Sequence, residues 1–247
     1  MITDPAFYAA AIPAVVLVGI SKSGFGAGIG ALATPLMALT IPVPQAAAIM
    51  LPLLVVIDFI GIRALWQQRD RELLRLLLPA GLAGIVVGTL TFGVLSAKTV
   101  AGLTGAITLL FLAIRTFFPP RADAPPPPRW LGFLLGTTSG FTSFVAHAGG
   151  PPIGFYLLPQ KLPPITFAAT TAMFFTAVNM SKWLPYWWLG LLDLSNFGTS
   201  LALLPFAPVG VWLGLKVVRR ISPAWFYRIF SAGMLLTGVK LLWDGLH

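Results

Sequence analysis

The stretch GISKSGFGAGIG, residues 19–30, sets one lysine beside alternating glycines inside an otherwise apolar run. A charge at bilayer mid-depth costs about 2.5–3.5 kcal/mol on insertion scales, so Lys22 calls for a partner or a polar cavity. Gly24, Gly26, Gly28 and Gly30 open backbone conformations closed to other residues and expose N–H groups. An amine beside free amides at a helix end is the composition of an anion site. The competing reading is structural: Lys22 snorkels from the end of a first helix and the glycines only let helices pack closely.

A second stretch, SGFTSFVAHAGGPP, residues 139–152, has the same character. Gly149-Gly150-Pro151-Pro152 must break a helix, and Pro151 or Pro152 can then start a half-helix whose N-terminus faces the break. His147 stands just before it. Its imidazole binds an anion when protonated, relays protons near neutral pH, or rests as a neutral ring bonded to a carbonyl.

Two further polar positions lie inside apolar runs. Asp58, in LPLLVVIDFIGIRALW, is the only acidic residue well inside one. Asn179 and Lys182, in TTAMFFTAVNMSKW, fall about one helical turn apart and share a face. Asp58 is either half of a structural ion pair or a group that exchanges a proton and balances Lys22 or Lys182. Ser23, Ser139 and Asn179 are candidate neutral donors, and Gly140 with Gly149 and Gly150 are candidate backbone contacts. Thr34, Thr170 and Thr171 add hydroxyls near the same breaks.

The elements that must hold these groups follow from composition. Of 247 residues, 57% are hydrophobic and 9% charged, with mean hydropathy +0.88, more apolar surface than a soluble domain can hide. The expectation is an all-α polytopic membrane protein. The start MITDPAFYAA has no basic n-region, so the first apolar segment is expected to stay rather than be cleaved as a signal peptide. With no cysteine, disulfides, thiolate metal sites and thiol catalysis are excluded. The net charge of +9 sits at the ends of apolar runs, which reads as orientation rather than nucleic-acid binding.

Proline, glycine and charged clusters bound apolar runs at 6–23, 31–43, 45–66, 74–95, 99–118, 130–147, 152–159, 164–183, 188–218 and 224–245. A helix needs about 20 residues to cross a bilayer, so 31–43 and 152–159 are too short alone. Segments 6–43 and 130–159 therefore read as broken or re-entrant hairpins, each followed by three transmembrane helices. Whether the hairpins turn back or cross fully stays open. RADAPPPPRW, residues 121–130, suits an exposed extended linker. The expected division is a first transmembrane repeat, 1–118, a Pro-rich cytoplasmic linker, 119–129, and a second transmembrane repeat, 130–247.

The two halves repeat. Ser23-Gly24-Phe25 recurs as Ser139-Gly140-Phe141, with Pro35 matching Pro151 at the same offset. Leu78-Pro79, Gly84 and Gly88 recur as Leu204-Pro205, Gly210 and Gly214. Internal repeats build many secondary transporters, whose site lies where the repeats meet. With hairpins that return to their own side, Arg63, Arg69, Arg71, Arg75, Arg219, Arg220 and most other basic residues share one face. Only Lys98, Lys182 and Lys240 face the other. That positive-inside bias favours two inverted repeats with both termini periplasmic.

The motifs GISKSGFGAGIGALATPL, LPLLVVIDF, SGFTSFVAHAGGPPIGFYLLPQKLP and FFTAVNMSKWLPYWWLG resemble the TauE/SafE family of bacterial membrane permeases, known as sulfite exporters. The likeness spans nearly the whole chain and is most specific from His147 to Pro152 and from Asn179 to Lys182. The chain has Gly-Ala-Gly at 26–28 where the family more commonly has three glycines. Membership implies small sulfur anions such as sulfite, sulfonates or sulfoacetate, often moved outward.

Residues and resemblance together give an expected secondary transporter of a small oxyanion in the bacterial inner membrane, without cofactor or metal. Lys22, Lys182 and backbone amides hold the anion near the midplane. Catalysis is not expected: the sequence has no H-E-x-x-H, no phosphate-binding loop and no carboxylate pair placed for acid/base work. The alternatives are an anion channel and a non-transporting assembly subunit. Expected partners are the anion and membrane lipid, not nucleic acid, and a homodimer is left open.

Overall fold

A computed structural model describes residues 2–24, 30–37, 40–41, 43–92, 94, 96–117, 125–190 and 194–246. Every regular element among them is a helix. The first half contains α1 (Pro5–Gly24), the short α2 (Ala33–Met37), α3 (Val43–Leu65), α4 (Arg71–Leu90) and α5 (Ala97–Phe117). The second contains α6 (Arg129–Ala146), α7 (Gly150–Leu157), α8 (Pro164–Ser181), the short α9 (Trp183–Trp188), α10 (Leu194–Leu203), α11 (Phe206–Val218) and α12 (Pro223–Leu246).

Among the described residues four helices are long and apolar enough to cross a bilayer: Pro5–Gly24, Ala48–Gln68, Arg71–Leu90 and Pro223–Leu246. Asn196–Leu203 and Phe206–Val218 are apolar enough only when taken together and are bent by 49°, the geometry of a broken span or a re-entrant loop. The molecule is a multi-pass membrane protein. The apolar run 188–218 is thus not one straight helix. Pro205 and Pro208 remove two amide donors within one turn, which is enough to break it. Pro79, the counterpart of Pro205, sits alone and α4 runs on through it.

Glycines decide how the long helices pair. α1 lies along α11 with Gly19 against Gly210 and Gly24 against Gly214, and a Cβ on Gly24 would stand 2.8 Å from the Gly214 carbonyl oxygen. α4 lies along α6, where a Cβ added at Gly84 would run into the backbone of Thr137 and Phe141 and one at Gly140 into the backbone of Gly81. Both pairs are parallel. α5 and α12 instead run antiparallel, Gly102 meeting Gly245 and Gly105 meeting Leu242. Small residues of this kind let backbones approach in a medium that gives helices no hydrophobic drive to associate.

Two large apolar cores result, beside a small cluster of Ala101, Ala148 and Leu241. One joins Leu74, Leu77 and Ile85 of α4 to Phe144, Phe155, Phe167 and Phe174 of the second half. The other joins Phe7, Val15 and Ile49 of the first half to Ala207 and Val211 of α11. Each half therefore contributes helices to the core of the other.

Chain ends sort to two levels. Gly132 of α6 meets Leu76 and Tyr156, the Asp70 N–H donates to Thr170 Oγ1 at 3.0 Å, and the Tyr227 hydroxyl donates to Leu162 O at 2.6 Å. These links gather Arg69, Arg71, Arg75, Arg129, Lys161 and Arg228 at one end. At the other, the Ile2 N–H donates to Thr199 Oγ1 and Gln45 Nε2 to Asn196 Oδ1, both at 3.1 Å. Exposed tryptophans mark both levels, Trp66, Trp130 and Trp225 at the basic end and Trp187, Trp188 and Trp243 opposite, the pattern of interfacial aromatic belts.

Candidate functional site

α1 runs to Gly24 and α6 to Ala146. About 26 Å of helix separates Pro5 from Lys22, and about 21 Å separates Arg129 from Ser143. The two helix ends approach from opposite levels and meet α3 and α8 in the interior.

Lys22 and Asp58 are 7% and 1% exposed, and Lys22 Nζ donates to Asp58 Oδ1 at 2.5 Å. Asn179 Nδ2 donates to the second carboxylate oxygen, Oδ2, at 2.7 Å. The Asn179 carbonyl in turn accepts from Lys182 Nζ at 3.2 Å. Lys182, wholly buried, also donates to the Ser143 carbonyl and hydroxyl oxygens, both at 2.8 Å. One chain of hydrogen bonds thus joins α1, α3, α8 and α6. It contains two lysine amines and one carboxyl group, and no described carboxylate pairs with Lys182. Burying an unbalanced positive charge is costly unless something neutralises it.

His147 ends α6 in the left-handed conformation, φ 52°, its N–H closing on Ser143 O at 3.2 Å. That is an αL cap, a place where glycine is usual and a side chain costs about 1–2 kcal/mol. Both imidazole nitrogens are enclosed and neither has a hydrogen-bond partner among the described residues. Two enclosed nitrogens without a described partner mark a place where a polar solute finds a donor or an acceptor.

Beyond His147, the Ala148 carbonyl accepts from Thr142 Oγ1 at 3.2 Å and the Gly149 carbonyl from Ser139 Oγ at 2.6 Å. Pro151 and Pro152 occupy the first turn of α7. Lacking N–H groups, they leave the helix start to Gly149 and Gly150. Neither glycine N–H donates to a described group.

These pieces enclose a cavity of about 40 Å³, lined by Lys22, Gly30, Thr34, Ser143, His147, Gly149, Gly150 and Asn179, with Val18, Met50, Leu54 and Phe175 as its apolar side. A single water needs about 10–15 Å³ by the same kind of measure, so a solute of a few heavy atoms is the right scale. Phe175 also faces the Lys22 amine, 5.5 Å from its ring centre.

Lys22, Asp58, His147, Gly149, Gly150, Asn179 and Lys182 are thus brought together, Lys182 one bond behind the cavity wall. Other predicted contacts are not at the cavity. Ser23 donates to Gly19 O and Val211 O and fastens α1 to α11. Gly24 packs on Gly214 and Gly140 on Gly81, and Ser139 ties down the link between α6 and α7. Pro151 is buried in that first turn. Thr170 accepts from Asp70 N–H at the basic end, and Thr171 bonds within its own helix. Gly26 and Gly28 lie outside the described residues. Ser143 was missed, although its place one turn before His147 was a usable signal.

The sulfite exporter TauE/SafE family profile matches residues 11–241. The chain belongs to this family. The TauE/SafE match covers all twelve helices at least in part, so the broken helices and the buried charged cluster are parts of a transporter-family fold. Neither a curated protein nor a solved structure matches the chain.

Proposed function

We propose that this TauE/SafE member is a secondary transporter that exports small sulfur oxyanions, such as sulfite or organosulfonates, across the bacterial inner membrane. The observation that carries this is the pair of buried lysines, Lys22 and Lys182, set against the single carboxyl group of Asp58, beside a cavity lined by the unpartnered His147 ring and the Gly149–Gly150 break. A small anion there restores neutrality and takes up the free donors.

In this reading Lys22, His147, Asn179 and the Gly149 and Gly150 amides contact the anion. Lys182 supplies charge through Ser143 and Asn179. The halves act as inverted repeats, a reading supported by the parallel α1/α11 and α4/α6 pairs and the antiparallel α5/α12 pair on which an in-plane two-fold would act. The arginine-rich end is cytoplasmic and both termini are periplasmic. Rocking of the α1–α2–α11 core against the α4–α6–α7 core then opens the cavity to each side in turn. Moving one negative charge outward across 100 mV releases about 2.3 kcal/mol, which favours export without a coupled ion.

Proteoliposomes with purified protein test this directly. Saturable sulfite flux that Lys182→Met weakens supports transport. Flux that never saturates indicates a channel, and no flux under a potential indicates an assembly subunit.

A further inference from the structure

At the basic end, α3 and α4 stand apart over α8 and leave a groove of about 530 Å³. Its walls and floor are apolar: Ile62 from α3, Leu74 and Leu78 from α4, Met173 and Ala177 from α8. The one hydroxyl among the described lining residues, that of Thr176, is spent on Ala172 O of its own helix at 2.8 Å. Charge is confined to the rim. Arg71 and Arg75 lie one turn apart on the same face of α4, like charges that repel each other. Neither forms an ion pair with a described carboxylate. Asp70 is occupied capping α4, accepting from the Glu72 and Leu73 N–H groups. Beside them the Arg69 guanidinium lies 3.8 Å over the exposed Trp66 ring.

A small inorganic anion finds donors at this rim and none below it. The occupant that matches both parts has a phosphate and a long apolar tail. We propose that the groove is a binding site for one anionic diacyl phospholipid of the leaflet at the basic end. Arg71 and Arg75 hold its phosphate, and an acyl chain lies along Ile62, Leu78, Met173 and Ala177. The smaller apolar groove at the opposite level, between Leu53, Phe197 and Leu201, has no lysine or arginine in its lining and offers nothing to a headgroup. Ile62 is one turn from Asp58 and Thr176 one turn from Asn179, so the lipid braces the two helices joined by the Asp58–Asn179 bond. The inference stands apart from the transport reading.

The test uses the full chain in detergent, titrated with dioleoylphosphatidylglycerol or dioleoylphosphatidylcholine and followed by thermal unfolding and native mass spectrometry. The anionic lipid is expected to raise the unfolding midpoint more than the zwitterionic one and to leave one bound adduct. Arg71→Gln with Arg75→Gln is expected to weaken that response about tenfold. Arg219→Gln with Arg220→Gln, an equal charge loss at the same end outside the groove, leaves it intact. Should the first pair fail to fold, Ala177→Trp fills the trough and is expected to abolish the adduct with every arginine in place. Equal loss in both arginine pairs, equal response to both lipids, or full replacement of the effect by inorganic phosphate overturns the proposal.

Discussion

Lys22 of α1 and Asp58 of α3 form a buried ion pair at 2.5 Å whose second carboxylate oxygen is held by Asn179 of α8. The pair joins two helices of one half to a helix of the other, at the level where α1 and α6 end. Its removal has separable effects on folding and on anion binding.

Asp58→Asn leaves Lys22 buried without a counter-charge. A loss of about 3–5 kcal/mol is expected. Lys22→Met with Asp58→Asn removes both charges and is expected to recover more than half of that loss without restoring sulfite flux. Chemical unfolding in detergent, run beside proteoliposome flux, reads both; a double variant as unstable as the single would mean the ion pair is not what Asp58 supplies.

Lys182 behaves differently, because its partners are the neutral Ser143 and Asn179. Lys182→Met removes an uncompensated charge, so stability is expected to hold or rise. The apparent affinity for sulfite is expected to fall about tenfold, because the anion loses a second positive charge held one hydrogen bond away. Thermal shift against a sulfite series checks this, and unchanged affinity would remove Lys182 from the anion's field.

His147→Gly puts the usual residue at the left-handed cap. The strain of about 1–2 kcal/mol is relieved, so the unfolding midpoint is expected to stay level or rise while flux drops. A variant that transports normally would mean that the imidazole takes no part in holding the anion.

Gly24→Ala drives a methyl toward the Gly214 carbonyl. A cost of about 1–3 kcal/mol is expected from overpacking, with sulfite affinity per folded molecule unchanged. Combined unfolding and binding measurements on the purified variant decide it.

Much of the site was legible because helical spacing is rigid. Asn179 and Lys182 share a face at three residues apart, and the Gly-Gly-Pro-Pro run leaves a helix little choice. The choice of Asp58 partner was narrowed to Lys22 or Lys182, and packing selects Lys22. Ser23 went astray for a geometric reason: neighbours on a helix point about 100° apart, so turning Lys22 to the cavity turns Ser23 to α11. Gly140 was read as exposed backbone, but α6 continues through it because the glycine serves helix approach to Gly81. Which face a small residue presents depends on its neighbour, and that neighbour comes from the other half of the chain.

The exchange of helices between the two cores separates the order of synthesis from the order of assembly. α1 leaves the ribosome first, yet the glycines it docks against, Gly210 and Gly214, come near the end. Until then its groove faces lipid alone, and a nascent chain stopped after α5 has an unfinished interior. Two polypeptides divided within the proline-rich linker are therefore expected to accumulate only when made together in one cell, each serving as the other's missing wall.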